Sequence, residues 1–157
     1  MGSVVDFAAG YYTFTMDDNV VPFTAFHVPG HGYYVYLRIP MGLTGAPYMF
    51  CEAVVTAMGE MLGRELENWM DDVAFASDSF EEYFDILKWF LDKCRTAKFS
   101  ITLAKMKLFQ LEFIFVGARL SEKGVSPNLD KVAAVIDFPR PKTIHDTMWF
   151  MGLTNWF

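Results

Sequence analysis

Three features of this sequence predict an α+β fold, an antiparallel sheet backed by helices. Short runs rich in β-branched and aromatic residues recur, closed by Gly, Pro or Asp turns. Two longer stretches carry apolar residues at helical spacing. Read along the chain, the elements follow the order β, ββ, α, ββ, α, β, ββ, α, which is a mixed pattern.

Residues 3–7 read as a strand, and Gly10 with Tyr11 and Tyr12 breaks it into a turn or short helix. Phe23–Val28 and Tyr33–Ile39 flank Pro29-Gly30-His31-Gly32 and form a hairpin that Pro40 ends. After the loop 42–47, a helix runs from Pro47 to Leu62, with Phe50, Val54, Ala57, Met58 and Met61 on one face. Leu66–Met70 and Val73–Ser77 make a second hairpin with Asp71-Asp72 at its turn. Ser79 and Glu82 form a capping box for a helix whose inner face is Phe80, Phe84, Leu87, Phe90, Leu91 and Cys94. Strands follow at 100–103, 113–116 and 118–120, then a helix from Leu129 to Phe138 and a last one capped by Thr143. Met41-Gly-Leu-Thr44 recurs as Met151-Gly-Leu-Thr154, an echo too short to be a repeat.

A chain of 157 residues that is 53% hydrophobic is long and apolar enough for one domain with a core, so disorder is excluded. No run approaches the ~18 apolar residues of a membrane span, and the N-terminus has no basic segment followed by an apolar one, so an intracellular setting is expected. Cys51 and Cys94 match no zinc or redox spacing and read as two buried reduced thiols; His27, His31 and His145 form no metal pattern. The net charge of −6 is unevenly spread. Residues 1–87 carry two basic groups against thirteen acids, and residues 88–157 carry eleven against six. An acidic half able to hold cations and a basic half able to meet phosphate is one reading of that split; two solvated helix faces are the other.

Trp69-Met70-Asp71-Asp72 is the densest chemical signal. Two adjacent carboxylates stand before the apolar run Val73–Ala76, and Asp6 interrupts another, Val4-Val5-Asp6-Phe7. Acids in such places need a cation or a hydrogen-bond partner. Carboxylates on two neighbouring strands suit a pair of Mg²⁺ ions for phosphoryl transfer. Asp-Asp is also an ordinary turn dipeptide.

The blocks around these acids carry a family resemblance over nearly the whole chain. Asp6-Phe-Ala-Ala-Gly-Tyr11 is similar to a block Asp-Leu-x-x-Gly-Tyr, and Thr24-Ala-Phe26, Gly32 and Tyr34 to the hairpin after it. Ile39-Pro-Met-Gly-Leu-Thr-Gly-Ala-Pro47 resembles Met-Pro-Phe-Gly-Leu-x-Asn-Ala-Pro, and Trp69-Met-Asp-Asp72 resembles Tyr-x-Asp-Asp. Leu103, Lys105, Phe109, Phe115, Gly117, Gly124, Pro127 and Pro139 follow in order, and the chain closes on Phe150-Met-Gly-Leu-Thr-Asn-Trp-Phe157. Together they resemble the reverse transcriptase palm of gypsy-type long-terminal-repeat retrotransposons.

The resemblance implies a polymerase palm over 1–140 with a fingers-like hairpin at 22–40, and the beginning of a thumb at 141–157. It implies RNA-directed DNA synthesis with two Mg²⁺, or Mn²⁺ in their place, held by Asp6, Asp71 and Asp72 and completed by the Phe7 carbonyl. Lys105 would serve the departing pyrophosphate, or be a solvated surface lysine. Tyr11 would exclude a 2′-hydroxyl, or be ordinary core packing. Met41 and Gly42 would line the nucleotide pocket, and Phe115, Val116 and Gly117 would grip the primer, or be plain strand core. The implied partners are an RNA or DNA template with primer, deoxynucleoside triphosphates and the rest of a polyprotein (fingers, thumb, ribonuclease H), with no membrane. Trp69 in place of Tyr, Met41 in place of Phe and Gly45 in place of Asn depart from the pattern without removing a carboxylate. With five residues before Asp6 and a thumb barely begun, the sequence is expected to be a fragment of a polyprotein or a decayed copy. Two alternatives are a non-enzymatic remnant and another palm-type nucleotidyl transferase or cyclase.

Overall fold

Ser3, Val5 and Phe7 alternate with Val4 and Asp6, and that period of two decides which side of the first strand enters the core. A computed structural model describes residues 1–8 and 10–155. Ala9, Trp156 and Phe157, which belong to the first and last family-like blocks, lie outside the described residues. The chain divides into two compact units after Gln110, whereas the sequence reading set its functional boundary at 140.

The first unit is built on a four-stranded antiparallel sheet. Its strands are β1 (Gly2–Asp6), β4 (Leu66–Trp69), β5 (Asp72–Ala76) and β6 (Lys107–Gln110), in the order β4-β5-β1-β6. Between β1 and β4 come a small hairpin of β2 (Phe26–Val28) and β3 (Gly32–Tyr34), and then α1 (Ala46–Met58). Between β5 and β6 runs α2 (Phe80–Ala97). Both helices pack on one sheet face, where Val5, Phe7, Val73 and Phe75 meet Phe50, Val54 and Met58 of α1 and Tyr83, Ile86, Leu87, Phe90 and Cys94 of α2. Burying such side chains is worth roughly 1.5–3 kcal/mol each, so this face carries the unit's stability.

The second unit holds a three-stranded antiparallel meander, β7 (Glu112–Phe115), β8 (Ala118–Ser121) and β9 (Gly124–Pro127), followed by α3 (Leu129–Ile136) and α4 (Ile144–Thr154). Val116 and Gly117 form the two-residue β7–β8 turn, with φ of 48° and 75°. Positive φ at both loop positions suits a type I′ hairpin, and a β-branched residue in the first is strained. Phe138 packs edge-on to Trp149 and tilted against Phe150, joining the α3 end to α4. The fold class and helix positions agree with the sequence reading. No helix among the described residues is long and apolar enough to cross a membrane.

Several expected details are corrected. The inner face of α2 is Tyr83, Ile86, Leu87, Phe90 and Cys94, while Phe80, Phe84 and Leu91 are exposed. Tyr83 wins a core position because its hydroxyl is satisfied there: it shares a hydrogen bond with Ser3 and accepts from the Phe109 N–H. The strand expected at 100–103 is instead a single bridge, Phe7 to Ile101, followed by a 3₁₀ turn at Leu103–Lys105. The strand beside β1 is β6, whose burial alternates weakly. β2 and β3 are three residues each, because the chain after Tyr36 leaves the hairpin to pair with residues 14–16 through Ile39 N–H to Phe14 O and Met16 N–H to Leu37 O. α1 ends at Met58, four residues early, and β9, exposed throughout, was not foreseen. Ser79 accepts from the Glu82 N–H, half of the expected box.

Cys51 is half-buried rather than buried, and both thiols are free. Burial pushes the Cys94 thiol up to about 12. Brief iodoacetamide treatment near pH 8.5 should therefore modify Cys51 and spare Cys94, since only the thiolate reacts. Peptide mass spectrometry reads the ratio, and equal labelling would contradict the placement of Cys94 in the core.

Thr143 caps α4 with a complete box, accepting from the Asp146 N–H while Asp146 accepts from the N–H groups of Lys142 and Thr143. Those bonds from Lys142 and Thr143 hold the Asp146 carboxyl below its ordinary value of 3.8. A depressed acid contributes stability above its unfolded value and loses it as pH falls through the folded one. The start of α4 should thus fray below about pH 4, read from the Asp146 and Thr147 amide signals by NMR, and Asp146→Asn should remove that dependence.

Candidate active site

The sheet face opposite the helices carries the acids. In the β1–β5 ladder Asp6 stands directly across from Asp72, one step beyond the Val5–Val73 pair that enters the core. Side chains directly opposite share a face. Asp6 and Asp72 therefore lie side by side on the open face, because Val5, Phe7, Val73 and Phe75 need the covered one.

The β4–β5 hairpin decides the rest. Trp69 pairs with Asp72, so the turn is Met70-Asp71, and Asp72 begins a strand instead of sitting in the turn as expected. Met70 has φ 52°, a left-handed value unusual for a side chain of its size. The Asn68 amide holds that turn, donating to Met70 O at 2.8 Å and to Asp72 O at 3.2 Å. The Phe7 N–H donates to Asp71 O at 2.8 Å, which ties the turn to the end of β1. A third segment closes on the same edge. Ala8 N–H donates to Ser100 O, and Thr102 N–H donates to Asp6 O at 2.9 Å. The 3₁₀ turn that follows brings Lys105 Nζ to 3.2 and 3.4 Å from the two Asp6 carboxylate oxygens.

Burial, Asp71 and Asp6 push the Asp72 carboxyl above its usual range, with Lys105 opposing them. Tyr11, edge-on to the Phe50 ring, is raised by burial and then by the charge of Asp71, which places it within the field of the same edge. The ladder and these bonds thus bring Asp6, Asp72, Lys105 and the Phe7 backbone to one edge, with Asp71 in the adjoining turn. Met41 and Gly42 lie on the exposed loop before α1, with Gly42 at φ 96°, and no hydrogen bond or ion pair among the described residues ties them to the acids. Phe115 closes β7, and Val116 and Gly117 form the β7–β8 turn in the second unit.

Carboxylate and carbonyl oxygens suit a hard divalent cation, and the mutual repulsion felt by Asp72 is what such a charge would relieve. Among the described residues, however, no group of three or more His, Cys, Asp or Glu side chains is gathered as a ready ligand set. Asn68 and the Ser100–Thr102 backbone were missed by sequence reasoning. Asn two residues before a hairpin turn carries no distinctive signal, and the hydrogen bonds of Ser100–Thr102 to Phe7's neighbours span more than ninety residues.

Solved structures share this fold. The foamy viral protease-reverse transcriptase in complex with double-stranded DNA superposes with a TM-score of 0.91 at 22% identity, over 99% of this chain and 27% of that one. The same viral protein with an RNA/DNA hybrid gives 0.88 at 22% identity, over 99% and 21%. Such likeness defines the class, an α+β polymerase fold. The family profile described as reverse transcriptase (RNA-dependent DNA polymerase) matches residues 1–120, and the chain belongs to that family. Among curated relatives, the retrovirus-related Pol polyprotein from transposon 297 of Drosophila melanogaster is 28% identical over 155 residues, 99% of this chain and 14% of the relative. The transposon Tf2-3 polyprotein of Schizosaccharomyces pombe is 31% identical over 132 residues, 84% of this chain and 10% of the relative. The chain thus spans a small part of the polyproteins it matches.

Proposed function

We propose that this chain is the palm of a long-terminal-repeat retrotransposon polyprotein that copies RNA into DNA, by attack of a primer 3′-oxygen on the α-phosphate of a deoxynucleoside triphosphate with release of pyrophosphate. The observation that carries the reading is the Asp6–Asp72 register on the open sheet face, with Asp71 tied beside it by the Phe7 N–H. Residues 22–40 serve as the fingers-like hairpin, and residues from 141 begin the thumb.

Asp6, Asp71, Asp72 and the Phe7 carbonyl would hold two Mg²⁺, or Mn²⁺, which when bound supply Lewis-acid activation and neutralise phosphate charge. Tyr11, packed edge-on to Phe50, would serve as a steric barrier to a 2′-hydroxyl. Lys105 offers a proton and a positive charge at the same edge, where pyrophosphate departs. Met41 and Gly42 line the nucleotide pocket, and Phe115, Val116 and Gly117 hold the primer, the Gly allowing close backbone approach. Template, primer, triphosphate and the remaining polyprotein are the partners.

A second reading, a non-enzymatic remnant, draws on the ungathered carboxylates. Primer extension on an RNA template with Mg²⁺ separates the two. The enzyme reading expects incorporation that falls at least ~10³-fold in Asp71→Asn, the scale of losing a charge-stabilising catalytic group. Neither incorporation nor Mg²⁺-dependent nucleotide binding would leave the remnant.

A further inference from the structure

We propose that the β2–β3 hairpin is a stacking platform for single-stranded nucleic acid, RNA or DNA, whose bases lie on its exposed aromatic rings and whose phosphates run along a segment free of carboxylates. The inference goes beyond the polymerase reading, because it needs neither the acid edge nor a metal.

The hairpin carries rings on both faces. Phe26 stands opposite Tyr34 in the ladder and His27 opposite Tyr33, so strand alternation sends the two pairs to opposite sides. On one side Phe26 stacks on Tyr34 with ring centroids 6.0 Å apart and lies 5.2 Å from the Tyr36 ring. On the other, the His27 and Tyr33 rings are 5.0 Å apart. Tyr33 is 82% exposed, Tyr34 47% and Phe26 40%. No third strand joins the hairpin among the described residues, and none of these rings belongs to the core. Their backbone is nonetheless fixed. The Thr24 hydroxyl donates to Val21 O at 2.7 Å and accepts from the Tyr36 N–H at 3.0 Å, and the His31 N–H donates to Val28 O across the tip. Rings held before a ligand arrives lose little freedom on binding.

Charge selects the occupant. Residues 1–87 carry thirteen acids, yet the 33 residues 19–51 hold no Asp or Glu, and they include Arg38, His27 and His31. In an otherwise acidic half, this is the longest stretch that bears no charge to repel a phosphate backbone. A protein partner needs no such clearing of carboxylates, whereas a polyanion does. The Arg38 guanidinium is exposed and donates through one nitrogen to Thr13 O, which leaves further N–H groups for phosphate. Every base has a π-face that an aromatic ring can meet, but that face is free only when the base is unpaired and unstacked. The rings therefore suit a single strand and not a duplex.

The test measures binding of the whole chain to a fluorescein-labelled oligo(dT) of about 12 nucleotides by anisotropy, with thermal melts to confirm folding. The buffer is low in salt and holds EDTA and no nucleotide. Tyr33→Ala and Phe26→Ala are each expected to weaken binding about tenfold, the scale of one lost base–aromatic stack. Tyr33→Leu, which keeps apolar bulk without a π-face, should lose as much, while Tyr33→Trp should stay within about threefold of the parent. Oligo(U) of the same length should bind comparably, and an abasic strand or a blunt duplex of that length about tenfold more weakly or worse. Parent-like binding in Tyr33→Leu and Phe26→Ala, equal affinity for the abasic strand, or no binding by the parent would each overturn the platform. So would a parent that self-associates in sedimentation velocity while Tyr33→Ala is monomeric and still binds oligo(dT) normally, since the face would then be a contact between copies. None of these outcomes bears on primer extension, which tests the polymerase reading separately.

Discussion

Asp72→Asn is expected to leave the chain folded and slightly more stable at neutral pH, while removing primer extension. Asp72 sits across the ladder from Asp6 and next in sequence to Asp71. Its carboxyl is raised by burial first, then by Asp71 and Asp6. An acid whose folded value is raised takes up protons on folding. Its charged form therefore weakens the fold as pH rises from its ordinary value of 3.8 through the raised one. Asn keeps the shape and removes the charge. After discounting for solvent the gain is small, a slight rise in the melting midpoint. It should be present at pH 7 and vanish toward about pH 3, where the parent carboxyl is itself protonated. Extension should fall at least ~10³-fold, since the group lost is one of the proposed cation ligands. Differential scanning calorimetry at the two pH values and a primer-extension gel check both halves. A large destabilisation at neutral pH would mean that Asp72 is structural.

Phe50→Ala should do the opposite, damaging the fold before the chemistry. Phe50 is fully buried and its ring meets Phe7, Tyr11, Phe14 and Phe99. Truncating such a ring costs about 3–5 kcal/mol, a large share of a small domain's ~5–15 kcal/mol. The loss should appear as a lower urea midpoint. Gly10 extends the argument. A Cβ placed there would stand 2.5 Å from the Phe50 ring, so Gly10 is glycine for want of space. Gly10→Ala should be destabilising in the parent and much milder in Phe50→Leu, a coupling that a double-mutant cycle measures. Additive effects would show that the two residues do not share the contact. Phe50 also supports Phe7 and Tyr11, so partial repacking should lower nucleotide affinity along with stability.

Local signals made much of the fold legible. The apolar spacing of Phe50, Val54 and Met58, the cap residues Ser79 and Thr143, and the two hairpins each announce themselves within a dozen residues. The acids and the ordered blocks around them pointed to the family that the profile match then showed. Less legible was which stripe of α2 faces the sheet. Phe80 and Phe84 are as apolar as the core requires, yet the core took Tyr83, whose hydroxyl finds Ser3 eighty residues away. β6 and the Lys105 turn were missed for a related reason. Their placement is fixed by hydrogen bonds to β1, and nothing within residues 100–110 states that pairing.

One tetrapeptide marks the division. Met41-Gly-Leu-Thr44 is an open turn with Gly42 at φ 96°, while Met151-Gly-Leu-Thr154 lies inside α4. Identical residues adopt two structures because four residues hold too little free energy to choose, and their surroundings choose for them. The sequence by itself determined the family and the helices. Only the tertiary structure decided that Asp6 and Asp72 share a face and that Lys105 reaches Asp6, because strand register and cross-chain hydrogen bonds arise between segments distant in sequence.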